Sequence, residues 1–136
     1  MISLILNEKA MRHTKKKFIT INLLALLVLS SCDDFFIKDI SDKTIQVVCP
    51  LDKSELSLNQ QSFVWAEEEG VEKYHVVIVS PSFKNIQRYV CDSLITNYKM
   101  ELNLPMGDYQ WSIQGVNSEY KSLINYLSFK ILDDEK

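Results

Sequence analysis

Apolar and polar positions alternate along the chain from Thr44 onward, which is the period of a β-strand rather than of a helix. The alternation is cleanest over residues 98–104 and 109–114, where every second side chain is apolar. Residues 74–79 are apolar on both faces, which favours a central strand. The pattern predicts seven short strands over residues 45–49, 63–65, 74–79, 88–91, 98–104, 109–114 and 127–131.

Turn-forming residues separate these strands, at Glu69-Gly70, at Ser80-Pro81-Ser82 and at Pro105-Met106-Gly107-Asp108. No stretch of ten or more residues in this part of the chain has the period of an amphipathic helix. Short strands at regular spacing are typical of a β-sandwich. The expected fold class is therefore all-β, with one sandwich over residues 44–132 and an acidic tail over residues 133–136.

The first third of the chain has a different pattern. Residues 18–29 form an apolar run that would span about 18 Å as a helix, against about 30 Å for the hydrocarbon core of a bilayer. A basic segment containing Arg12 and Lys15 to Lys17 precedes the run, and small residues follow it. This order predicts a secretory signal peptide over residues 1–31, with Met11 as the expected true start.

Leu29-Ser30-Ser31-Cys32 resembles the lipobox of bacterial lipoproteins. In that family the cysteine thiol is acylated and the peptide is cut just before it, so the resemblance implies a lipid anchor on Cys32 and attachment to the outer membrane. An ordinary signal peptide with an incidental cysteine is the alternative. Asp33 and Asp34 resemble an acidic export tag for the outer leaflet, or else belong to a solvated tether predicted over residues 32–43.

Removal of residues 1–31 leaves 10 of the 15 basic and 17 of the 18 acidic residues, a net charge near −7. Nucleic acids and anionic membrane surfaces both require a basic face, so neither is expected as a partner. The lipid anchor is therefore the expected link to the membrane.

Three strand motifs stand out in order along the chain: Phe63-Val64-Trp65, then Tyr74-His75-Val76-Val77, then Tyr109 with Trp111. The first two resemble strands B and C, and the third resembles strand F, of a fibronectin type III or immunoglobulin-like domain. Leu104 to Tyr109 resembles a tyrosine corner, in which the tyrosine hydroxyl bonds to a backbone group a few residues upstream. The resemblance implies a seven-stranded sandwich in which Trp65, Tyr74, Tyr109 and Trp111 are structural.

Cys49 and Cys91 remain after Cys32 is assigned to the anchor. The Cys…Trp…Cys pattern of antibody domains is absent, and fibronectin-like topology places the two thiols on strands A and C′ of different sheets. A disulfide requires Cα atoms within about 7 Å. A Cys49–Cys91 bridge and two free, apolar thiols stay open as alternatives.

Catalytic motifs are not recognisable. His75 is the one histidine after residue 31, so neither a catalytic triad nor a transition-metal site is predicted. The acidic runs at Glu67 and at Asp133 are expected in solvent, without the raised pKa that acid–base catalysis requires. No cofactor, no metal and no enzymatic activity are expected.

The loops offer the candidate binding residues. In an immunoglobulin-like sandwich the B–C and F–G loops meet at one end and often form a contact surface. The candidates there are Glu67, Glu68, Glu69, Asn117, Ser118, Glu119 and Tyr120, with Tyr120 as the exposed aromatic contact; Phe83 and Tyr89 are secondary candidates near the C′ edge.

The leading hypothesis is a non-catalytic, lipid-anchored envelope protein that serves as an interaction or accessory domain, with another envelope protein or a glycan as partner. The alternative is a carbohydrate-binding module of a surface glycan-capture system. Exposed aromatic side chains on one sheet face would favour the alternative, whereas Trp65 and Trp111 are both predicted on core faces.

Overall fold

The computed structural model describes residues 36–57 and 60–133, and the strands in these ranges form two sheets. The strands are β1 Val47–Cys49, β2 Ser54–Ser57, β3 Gln60–Trp65, β4 Lys73–Ser82, β5 Asn85–Ile95, β6 Lys99–Asn103, β7 Gly107–Val116 and β8 Asn125–Leu132. One sheet has the order β1-β3-β6 and the other the order β2-β8-β7-β4-β5. All neighbours are antiparallel except β2 and β8, which are parallel.

The alternation in the sequence becomes burial in the sandwich. Strand β7 buries Tyr109, Trp111 and Ile113 against the opposite sheet and turns its intervening side chains outward. Phe63 of β3 lies edge-on to Trp111, with ring centroids 5.2 Å apart. A core of interdigitated aromatic and branched side chains joins the two sheets. Trp65, Tyr74, Tyr109 and Trp111, the four residues assigned a structural role, are all buried.

The predicted fold class, an all-β sandwich, is confirmed, and the described residues contain eight strands rather than seven. The additional strand is β2, whose sequence Ser-Glu-Leu-Ser has a single apolar side chain and therefore no visible period. Strand β5 is 11 residues long, against the four predicted. Ser80-Pro81-Ser82 belongs to β4 instead of a turn, and the chain reverses at Phe83 and Lys84.

The tyrosine corner has the predicted geometry. The Tyr109 hydroxyl donates to the carbonyl oxygen of Pro105 at 2.8 Å and accepts from the Arg88 guanidinium at 3.3 Å. The Tyr109 ring stacks on Phe129 of β8, with centroids 5.2 Å apart. This bond fastens the loop between the two sheets to the strand that it precedes.

The sandwich begins earlier than the sequence predicts. The sequence predicts a flexible tether over residues 32–43, yet Ile40 is fully buried and the Lys43 carbonyl accepts a hydrogen bond from the Leu123 N–H at 2.8 Å. A parallel bridge between Thr44 and Leu123 continues this attachment. An isolated isoleucine gives no strand or helix period, so only the packed structure reveals the attachment.

Several predicted features lie outside the described residues: the signal peptide, Cys32, Asp33, Asp34 and residues 134–136 of the tail. Cys49 and Cys91 are described, and both are free thiols, on β1 of one sheet and β5 of the other. The two thiols therefore form no disulfide with each other. Nowhere in the described ranges is there a helix long and apolar enough to cross a membrane.

Candidate functional site

The predicted binding loops meet at one end of the sandwich, here called the loop end: residues 66–72 between β3 and β4 and residues 117–124 between β7 and β8. The Asn117 side chain joins them. Its amide nitrogen donates to the carbonyl oxygens of Lys38 and Gly70, both at 2.9 Å. Its amide oxygen accepts from the N–H groups of Glu119 and Tyr120, at 3.1 and 2.7 Å. Asn117 is only 8% exposed, so it closes the loops and leaves little side chain for a ligand.

The acidic residues of the loop end are also engaged. Glu69 pairs with the Lys38 ammonium at 2.6 Å, and that ion pair and its hydrogen bond lower the pKa of Glu69. The Glu68 N–H donates to the Tyr74 hydroxyl at 3.1 Å. A side-chain hydrogen bond to Glu67 raises the pKa of Tyr98. Each of the three glutamates therefore contributes a group to holding the loop in place.

The remaining candidates of the loop end differ in exposure. Ser118 and Glu119 are exposed, whereas Tyr120 is half-buried and its backbone carbonyl accepts from the Asn117 N–H at 3.0 Å. The structure thus brings all the predicted loop residues together. Tyr120 is predicted as an exposed aromatic contact, and the structure shows it half-buried.

A second surface is the outer face of the five-stranded sheet, which points away from the core. The strand register places Ser112 of β7 between Val77 of β4 and Tyr126 of β8, and the side chains of these three residues point outward. Tyr126 is 58% exposed and Tyr89 of β5 is 62% exposed. This outer face therefore presents two tyrosine rings to solvent.

Phe83 covers part of the outer face. Its N–H donates to the Gln110 amide oxygen at 2.8 Å, and its ring lies edge-on to Tyr126 with centroids 5.2 Å apart. Val79, which pairs with Gln110 and Tyr89 across the strands, is fully buried although it is not part of the core cluster. Phe83 and Tyr126 thus form a small second layer of packing, which holds the Tyr126 ring in position.

The outer face also contains a depression of about 460 Å³, here called the His75 depression, near the loop end. The His75 Nε2 atom lies 2.7 Å from Oδ1 of Asp92. Leu94 and Gln114 flank His75 on the neighbouring strands, in register with it. Lys121 completes one wall. Two other depressions have volumes of about 280 and 270 Å³.

Sequence reasoning missed this combination. His75 is the one histidine after residue 31, and its carboxylate partner Asp92 lies 17 residues further along the chain. Only the pairing of β4 with β5 brings the two together. The exposure of Tyr126 could have been predicted from the sequence. Leu127 and Phe129 point into the core, and successive side chains of a strand point to opposite faces, so Tyr126 points outward.

The described residues offer little for catalysis. The carboxyl groups with a shifted pKa are Asp39, Asp52 and Glu69, and hydrogen bonds lower all three; a general acid needs a raised value. No group of three or more His, Cys, Asp or Glu side chains able to hold a metal ion occurs within residues 36–57 and 60–133.

Comparison with known proteins yields similarity of structure only, since no family model and no curated protein matches the chain. The fibronectin(III)-like modules of Clostridium thermocellum CbhA are 6% identical, with 68% of this chain and 100% of that one covered and a TM-score of 0.48. FN3tt is 20% identical (65% and 96% covered, TM-score 0.47). A fibronectin type III domain of human KIAA0970 protein is 18% identical (71% and 77% covered, TM-score 0.48). The assignment of the fold rests on the strand order described above.

Proposed function

We propose that this chain is a non-catalytic, lipid-anchored protein of the bacterial cell envelope, whose sandwich serves as an interaction or accessory domain at the outer membrane. The observation that carries the proposal is the sequence Leu29-Ser30-Ser31-Cys32, which resembles a lipobox and ends six residues before Lys38. Two acyl signals on one cysteine give durable anchoring, since a single chain holds a protein only marginally.

The packing of residues 38–43 supports a close attachment. Lys38 contacts the loop end through its backbone carbonyl and its ammonium group. At most about 20 Å of extended chain separates it from Cys32. A lipid on Cys32 would therefore tether the sandwich to the bilayer by a short segment of chain.

Fractionation of cells tests the anchor. The full-length protein is expected in the membrane fraction and should incorporate radiolabelled fatty acid, whereas Cys32→Ser should appear in the soluble fraction without label. Cys49→Ser and Cys91→Ser are matched controls, because they remove a thiol of the sandwich and should stay in the membrane. A Cys32→Ser variant that remains membrane-bound would refute the proposal.

A test of the acidic export tag uses the same cells. Digestion of intact cells with protease should degrade the wild-type protein if it lies in the outer leaflet. Asp33→Asn combined with Asp34→Asn should then be protected while remaining in the membrane fraction. Equal digestion of both proteins would assign Asp33 and Asp34 to the tether instead.

Carbohydrate binding is the second candidate function, and one observation favours it. Tyr89 and Tyr126 are both exposed on the outer face of one sheet. A tyrosine ring combines an apolar face with a polar hydroxyl, so it suits a ligand that has both C–H and O–H groups. Trp65 and Trp111, in contrast, are buried and contribute nothing to such a surface.

A further inference from the structure

We propose that the His75 depression binds a neutral saccharide, with the exposed tyrosines of the outer face extending the site. This inference rests on the second candidate function above and specifies its location and ligand class. The depression's volume of about 460 Å³ lies within the range of small-ligand sites, about 300–1,000 Å³.

The depression contains polar atoms that residues 36–57 and 60–133 leave uncommitted. Asp92 uses Oδ1 for His75 and keeps Oδ2. Gln114 donates from Nε2 to the Ser122 carbonyl at 2.7 Å and keeps its amide oxygen as an acceptor. The exposed Lys121 ammonium forms no ion pair with any residue in the described ranges. Two acceptors, on Asp92 and Gln114, and one donor, on Lys121, are therefore available to a ligand.

These groups are held in place by the sheet. His75 lies on β4 and Gln114 on β7, and the two residues are directly opposite each other in the register. The bonds to Asp92 and Ser122 fix their side chains further. A preorganised set of polar groups binds a ligand with a smaller loss of side-chain entropy than a mobile set does.

The charges in the depression favour a neutral ligand. Asp92 would repel an anion and Lys121 would repel a cation, whereas hydroxyl groups can donate to the carboxylate and accept from the ammonium. Leu94, which is 60% exposed, and Val116 supply apolar surface for the C–H groups of a sugar ring. A saccharide has both kinds of group on one small, rigid molecule.

The tyrosines lie close enough to extend the site. Tyr89 is three residues from Asp92 on β5, about 10 Å along the strand. Tyr126 is one strand from Ser112, which lies two residues from Gln114 on β7. An oligosaccharide held in the depression can therefore reach Tyr89 along β5 or Tyr126 across β7 on β8.

The test uses the full-length protein, purified from membranes in detergent, on an array of neutral and acidic oligosaccharides. Neutral oligosaccharides should bind, and the one with the strongest signal is then titrated by calorimetry. Asp92→Asn and Leu94→Ser should each weaken binding about tenfold or more, since each removes a contact from the centre of the site. Tyr126→Ala should have a smaller effect, about threefold, because it lies at the edge.

Matched controls come from the same sheet. Asp108→Asn and Leu132→Ser alter an exposed acid on β7 and an exposed leucine on β8, at the end of these strands opposite the depression. The affinity of both variants should stay within about twofold of the wild-type affinity, since surface changes outside a site have little effect. Thermal melting of every variant establishes that it is folded. His75→Gln supplies a second test if Asp92→Asn melts early.

The outcomes separate the two proposals. Saccharide binding that survives Asp92→Asn, His75→Gln and Leu94→Ser would overturn the location while leaving the carbohydrate function in place. Binding of acidic oligosaccharides alone would overturn the neutral class. A blank array would overturn both the site and the function. A dimer in sedimentation that Leu94→Ser dissociates would assign this face to a second copy of the chain and also overturn the site.

Discussion

The loop end and the outer face of the five-stranded sheet both carry polar side chains, but they use them differently. At the loop end Asn117 makes four hydrogen bonds to the backbone of two loops and of the entering chain. On the outer face Asp92 makes one bond within the described part of the chain, to His75, and no described residue uses its other carboxylate oxygen.

The difference follows from where backbone groups find partners. Strands satisfy their N–H and C=O groups by pairing, so the outward side chains of a sheet are not needed for that purpose. Loops lack such a ladder, and at the loop end the side chain of Asn117 takes its place. In this protein the polar residues of the loop end are therefore a weaker sign of a binding site than the exposed polar and aromatic residues of the outer face.

Removal of Asn117 should produce the largest effect. Asn117→Ala leaves several backbone groups without partners at a buried position, so we expect a loss of about 2–3 kcal/mol in the free energy of unfolding. Asp92→Asn on the outer face should change it by less than about 0.5 kcal/mol, as is usual for an exposed pair. Urea denaturation of both full-length variants measures the two values, and equal losses would remove the contrast between the regions.

A pair of tyrosines gives the next largest effect. Tyr109→Phe removes the buried hydrogen bond to Pro105 and should cost about 1 kcal/mol. Tyr126→Phe removes a hydroxyl from the exposed outer face and should change stability by less than about 0.5 kcal/mol. Thermal and urea unfolding both report the difference. A stable Tyr109→Phe variant would show that the tyrosine corner contributes only through packing of the ring.

The smallest effect concerns pH at the loop end. Burial raises the pKa of Tyr74 above its ordinary value of 10.0. Its contribution to stability is therefore complete below pH 10 and is lost as the pH rises through the higher pKa of the folded state, since the unfolded chain ionises first. Tyr74→Phe should destabilise the protein at pH 8 and by a smaller amount at pH 11. A Tyr74→Phe difference that grows with pH would contradict the assignment.

The sequence predicts much of the fold because burial in a sheet is a local property. Trp111 and Phe129 each lie between polar neighbours, and this alternation alone places their rings inward. Strand β2 and the attachment of Ile40 were missed because neither has a repeating pattern. Their positions depend on contacts with Ile131 and with the loop end, which lie far away in the chain.

The candidate site depends on the register between strands. Asp92 and His75 are 17 residues apart, and the lone histidine gave no indication of a partner. Likewise, nothing local to Asn117 indicates that it would bond to Lys38, 79 residues earlier. The sequence predicts that the two loops of the loop end are neighbours, and Asn117 joins them; which of their side chains remain available to a ligand was not predictable.

The sequence by itself determined which side chains enter the core, because the alternation of apolar and polar residues is a pattern of consecutive positions. It also determined where an acylated cysteine is expected, because the motif consists of four consecutive residues. The tertiary structure decided which polar side chains form hydrogen bonds with the backbone and which stay available to a ligand. That decision is made by strand register and loop closure, which join residues whose separation along the chain carries no local signal.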